Sequence, residues 1–83
     1  MTTREIQIAK KILGYLHTLD GGQAHALTIH GEIGGLSFCN SGEFDGVLEI
    51  LDARHALIGV KTEFKGTLFS ISDTGEQLRQ KMK

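Results

Sequence analysis

Three residues carry the chemistry of metal ligands within a short stretch: His25, His30 and Cys39, with four and eight residues between them. His17 and His55 lie further off. A zinc site draws its ligands in close pairs, such as two cysteines flanking two residues or two histidines on one element. No such pair occurs. The histidines read as solvated loop residues, and no metal or other cofactor is expected. Cys39, beside Phe38 and with no base near it in sequence, reads as a small core or boundary residue. Of the serines, Ser41 and Ser72 stand where helix caps belong, and Ser37 and Ser70 have no base beside them. Gly31-Glu32-Ile33-Gly34-Gly35 lacks the Lys-Ser/Thr that a phosphate loop requires. The carboxylates Glu43, Asp45, Glu49 and Asp52 fall on a helix whose apolar side is already accounted for, so they read as its solvated face. The expectation is a protein that is not an enzyme and has no small-molecule substrate.

These residues are positioned by an order of elements that the sequence states with some force. Thr2 or Thr3 caps a first helix, with Glu5 three residues after Thr2 as in a capping box. Ile8, Ala9, Ile12, Leu13, Leu16 and Leu19 then recur at helical spacing, and Asp20-Gly21-Gly22 ends the helix near Leu19. Residues 23–38 are ambiguous. Ala26–Ile29 fits a short strand, Thr28 fits a cap, and five glycines in and around the segment disfavour a long helix. The expectation there is a short second helix around Ile29–Ile33. Asn40 or Ser41 caps a third helix, in which Phe44, Val47, Leu48 and Leu51 form one stripe. It ends over Asp52-Ala53-Arg54-His55. Leu57–Glu63 and Thr67–Ile71 are β-prone, and the turn Phe64-Lys65-Gly66 joins them as a hairpin. Ser72 caps a last helix from Asp73 to about Met82, with acids first and bases last as the helix dipole prefers. The third-helix stripe should face Ile12, Leu13 and Leu16, with Leu68 or Phe69 closing the core.

The chain has 83 residues, nine basic and ten acidic, a net charge of −1, one cysteine and no proline. That length gives one domain, residues 1–83. Its composition is that of an ordinary globule, and no apolar run suits a bilayer. The N-terminal residues run straight into a helix and lack the apolar core of a signal peptide. The lone cysteine agrees with a reducing compartment. No membrane association is expected, and the expected location is cytoplasmic.

The succession of third helix, hairpin and Ile71-Ser72-x-x-Gly75-x-x-Leu78 resembles the closing pattern of winged-helix domains, an α+β fold. More narrowly, Gly42-Glu43-Phe44-Asp45-Gly46-Val47-Leu48 with Ala56-Leu57-Ile58-Gly59-Val60 is similar to the YjcQ-like small bacterial proteins. The resemblance covers about half the chain. It implies a winged helix (three-helix core, hairpin wing, final helix) of bacterial or phage origin, and it carries no catalytic set. The commonest use of the fold implies a transcription-regulator-like protein that binds double-stranded DNA. Phosphate contacts would then come from Lys61 and Lys65 in the wing, from Arg54 and His55 at the end of the third helix, and from the helix start at Ser41. The charge pattern opposes this, because the third helix holds four carboxylates and no Lys or Arg. A winged helix that has kept its fold as a protein-interaction or dimerisation module is the alternative. Apolar residues left over after the core is assigned are Ile6, Ile50, Ile58 and Phe64. Ile6 and Ile8 point about 200° apart on one helix, so a homodimer burying Ile6 with Leu78 or Met82 is expected.

Overall fold

The computed structural model describes residues 1–64 and 66–82. It is an α+β fold in the order α1 (Thr3–Thr18), β1 (Gln23–His25), α2 (Ala26–Glu32), α3 (Ser41–Ala53), β2 (Leu57–Thr62), β3 (Gly66–Ile71) and α4 (Asp73–Lys81). Single 3-10 turns at Asp20–Gly22 and Gly35–Ser37 join α1 to β1 and α2 to α3. The expected Lys65 of the turn and wing lies outside the described residues.

Helix starts follow the caps. The Thr2 hydroxyl accepts from the Glu5 amide at 3.1 Å, and the Glu5 carboxylate accepts from the Thr2 amide at 2.7 Å. Asn40 and Glu43 repeat the reciprocal pair at α3, at 2.8 and 3.1 Å. Each box satisfies amides that have no partner within the helix. Both carboxyls are held below the usual carboxylate range, first by that backbone amide, from Thr2 or Asn40 respectively. Ser72 caps α4 by accepting from the Gly75 amide at 3.0 Å. Gly75 is also where α4 comes closest to the chain beneath it. A Cβ there would collide with the Ala56 carbonyl oxygen and lie 2.9 Å from Ile71 Cγ1.

The segment 23–33 corrects the expectation. The strand is Gln23–His25, earlier than Ala26–Ile29, and α2 spans Ala26–Glu32 where a helix around Ile29–Ile33 was expected. Its N-cap is His25, without a side-chain cap bond, and Thr28 lies inside the first turn. The reason is tertiary. Gln23, Ala24 and His25 pair antiparallel with Ser70, Phe69 and Leu68, which fixes the strand where local propensity does not. The α2 helix tolerates Gly31 because Ile29 is fully buried in the core.

The sheet is antiparallel with strand order β1-β3-β2. Leu57, Gly59 and Lys61 face the same way as their partners Ile71, Phe69 and Thr67, with Ala24 beside Phe69. At Leu57, Ile71, Phe69 and Ala24 this face packs on the helices, whereas Gly59 and Lys61 are exposed. Ile8, Ala9, Ile12, Leu13 and Leu16 of α1 and Phe44, Val47, Leu48 and Leu51 of α3 form one cluster with Ile29, Ala56 and Leu57, as the apolar stripes predict. Of the two candidates to close it, Phe69 does so. Leu68, next in a period-2 strand, is paired with Val60 on the opposite face. That outer face leaves Ile58 and Val60 more than half exposed.

Candidate functional site

The described residues expected to meet a nucleic acid lie at the two ends of α3 and on β2. Ser41 opens α3 and is exposed, while Arg54 caps its far end. Thirteen residues of helix separate these ends by about 18 Å. His55 follows with φ 60°, and its carbonyl accepts from the Ser72 hydroxyl. That bond ties the end of α3 to the start of α4. Lys61 is exposed on β2, opposite Thr67. Lys65, the other expected contact, lies outside the described residues. Among the described residues no ion pair engages Arg54 or Lys61.

What occupies the exposed side of α3 is acidic. Asp45, Glu49 and Asp52 recur at i, i+4 and i+7, so they share a face. With Leu48 they form one wall of a hollow of about 330 Å³ whose other wall includes Thr67 and Phe69 of β3. The fourth carboxylate, Glu43, is partly neutralised. Arg4 Nε lies 3.2 Å from Glu43 Oε2, and the Arg4 guanidinium stands 5.0 Å above the Phe38 ring while also donating to the Phe38 carbonyl. This contact fastens the start of α1 to the start of α3. A phosphate backbone lying along α3 would meet three carboxylates within a Debye length, and the cations at the helix end and on β2 are fewer.

A second hollow of about 610 Å³ lies between the start of α2 and the tip of the hairpin. Leu27 and Phe64 line it, exposed to 83% and 90%. Among the described residues these are the two most exposed large hydrophobic side chains. Ala26 and Thr67 border both hollows, so the acidic one and the apolar one adjoin. Phe64 was visible in the sequence as an apolar residue left over from the core. Leu27 was not, because a strand over Ala26–Ile29 leaves its direction open. Leu36, 76% exposed in the turn before α3, and Val60 went unnoticed for similar reasons.

The other candidates have local structural roles. His30 stacks on Phe44 at 4.5 Å between ring centroids, and its Nε2 donates to the Cys39 carbonyl at 2.8 Å. Cys39 is buried, and burial pushes its thiol pKa up, which disfavours the nucleophilic thiolate. His25 precedes α2 with a buried Nδ1 that has no hydrogen-bond partner among the described residues. Among the described residues no three His, Cys, Asp or Glu side chains converge as metal ligands would. For self-association, Ile8 is fully buried and Ile6 is 37% exposed, as their angular separation requires. Leu78 and Met82 are half-buried against the chain's own core, so only Ile6 of the expected interface is exposed. No described helix is long and apolar enough to cross a membrane.

Comparison with protein-family models, with curated proteins and with solved structures gives no match.

Proposed function

We propose that this chain is a winged-helix-like, cytoplasmic interaction module that works by holding a protein partner and has no catalytic role. The element order, with a short strand between α1 and α2 and a hairpin after α3, supports the winged-helix reading. The motif likeness to the YjcQ-like proteins supports the same fold and brings no activity with it. One observation carries the functional half. The hollow between α3, the helix that a DNA-binding winged helix lays against the duplex, and β3 is walled by Asp45, Glu49 and Asp52. Apolar side chains exposed next to it favour contact with protein over contact with phosphate.

Double-stranded DNA is the second reading, and Arg54, His55 and Lys61 favour it because all three are exposed. Titration of a mixed-sequence duplex at low and physiological salt separates the two. The interaction reading expects no saturable binding at physiological salt, and at most weak binding with a shallow salt slope below it. Saturable binding that falls when Lys61 and Lys65 are both changed to alanine would put the duplex reading first. A homodimer through Ile6, Leu78 and Met82 has less support than either, since two of the three are engaged within the chain.

A further inference from the structure

We propose that the two adjoining hollows between α3 and the hairpin together bind a protein segment that is basic at one end and apolar at the other. The inference rests on the interaction reading and specifies its partner. Leu27 is the second residue of α2 and so has a rigid base, while Phe64 faces it from the hairpin across the larger hollow. Two large apolar side chains this exposed on one concave surface lose the most water when something covers both, which is the mark of an anchoring pocket. The floor stays apolar at the other end, through Leu48 and Phe69, but the wall there is Asp45, Glu49 and Asp52.

Charge complementarity decides the occupant. No described residue bordering the acidic hollow is a cation, and the cation nearest in strand register is Lys61, across from Thr67. Three carboxylates at one end therefore call for lysine or arginine, and the apolar end calls for leucine or an aromatic residue. A second copy docked groove to groove fits poorly. Its own groove carries the same acids, so that pairing sets carboxylates against carboxylates or against Leu27 and Phe64. Duplex DNA meets the same repulsion. A short segment with the two chemistries in sequence satisfies both ends, and its charged half steers it into register.

Fluorescence anisotropy with the whole chain and three labelled synthetic peptides tests this. The first has a Lys/Arg-rich half followed by a Leu/Phe-rich half, the second replaces the bases by Glu, and the third replaces the apolar residues by Ser. The first should bind and the other two should not. Glu49→Gln combined with Asp52→Asn should weaken binding roughly tenfold and flatten its salt dependence. Leu27→Ser should weaken it by a similar factor, roughly tenfold, and leave the salt slope unchanged. Leu27 is exposed enough that its variant should keep the parent melting temperature, which is measured alongside. Failure of all three peptides, or binding indifferent to these variants, overturns the inference. So does self-association that Leu27→Ser abolishes, since a second copy would then be the occupant. Duplex DNA is run in parallel: duplex binding sensitive to Arg54 and Lys61 would sink the interaction reading itself, whereas absence of both ligands removes the groove assignment alone.

Discussion

Replacing Gly75 by alanine sets two effects of opposite sign against each other. Helix propensity favours the substitution, because alanine in a helix is about 1 kcal/mol better than glycine. Packing opposes it. The new Cβ would overlap the Ala56 carbonyl oxygen and approach Ile71 Cγ1 at 2.9 Å. Neither obstacle is the free end of a long side chain. The Ala56 oxygen belongs to the backbone just before β2 and accepts from the Ser72 amide at 3.1 Å. Relief requires α4 to lift or that hydrogen bond to lengthen. Overpacking costs about 1–3 kcal/mol, and a weakened hydrogen bond adds about 1 kcal/mol. After the propensity gain, a net loss of about 1–3 kcal/mol remains, which in a domain of this size lowers the melting temperature by roughly 5–20 °C. Gly14→Ala is the control. Gly14 is also helical, but its Cβ would meet nothing within 4 Å, so propensity acts alone and stability should rise by up to about 1 kcal/mol. Thermal melts by circular dichroism read both variants. If Gly75→Ala melts at or above the parent temperature while Gly14→Ala behaves as stated, the close approach of α4 has been misjudged.

Two further outcomes follow from the core and the caps. Leu48→Ala removes a buried side chain from the α1–α3 cluster and should cost about 2–5 kcal/mol in chemical denaturation; a midpoint barely moved would mean that the α3 stripe does not face α1. The depressed Glu43 carboxyl stabilises the fold above the ordinary carboxylate range, and that contribution is lost as pH falls through its lower folded-state value. Glu43→Gln keeps an acceptor for the Asn40 amide but removes the titration. Melts from about pH 5 down to about pH 2 should therefore show a less steep acid loss in the variant, and an identical acid limb in both proteins would dissociate Glu43 from that loss.

The parts of the fold that the sequence announces are those whose information is local. The α1 and α3 stripes repeat at helical spacing, both helices begin on a capping box, and Ser72 stands three residues before Gly75. Each of these is decided within one or two turns. The strand β1 is different, because Gln23–His25 is fixed by pairing with the distant Leu68–Ser70. With β1 misplaced, the start of α2 moves too, and Leu27 loses its place as an exposed anchor. The candidate groove is hidden for the same reason. Its walls come from α2, α3 and the hairpin, and only their packing brings them together. The acidity of α3, by contrast, is plain in the sequence, since Asp45, Glu49 and Asp52 lie off the buried stripe whatever the rest of the chain does.

The strand order β1-β3-β2 has a consequence for the sequence of events during synthesis. The centre of the sheet is the strand that the ribosome makes last. Helices α1 and α3 can meet, and β2 can wait in an extended form, but β1 has no neighbour until Leu68–Ser70 has left the exit tunnel. Until then Ala24 has no strand to lie beside, and the position of α2 relative to the hairpin is unset. Loop closure between distant segments is the slow kind of contact to make. The groove between α2, α3 and the hairpin therefore needs β3 in place before it can form. A chain that stops short of β3 presents the helices without it.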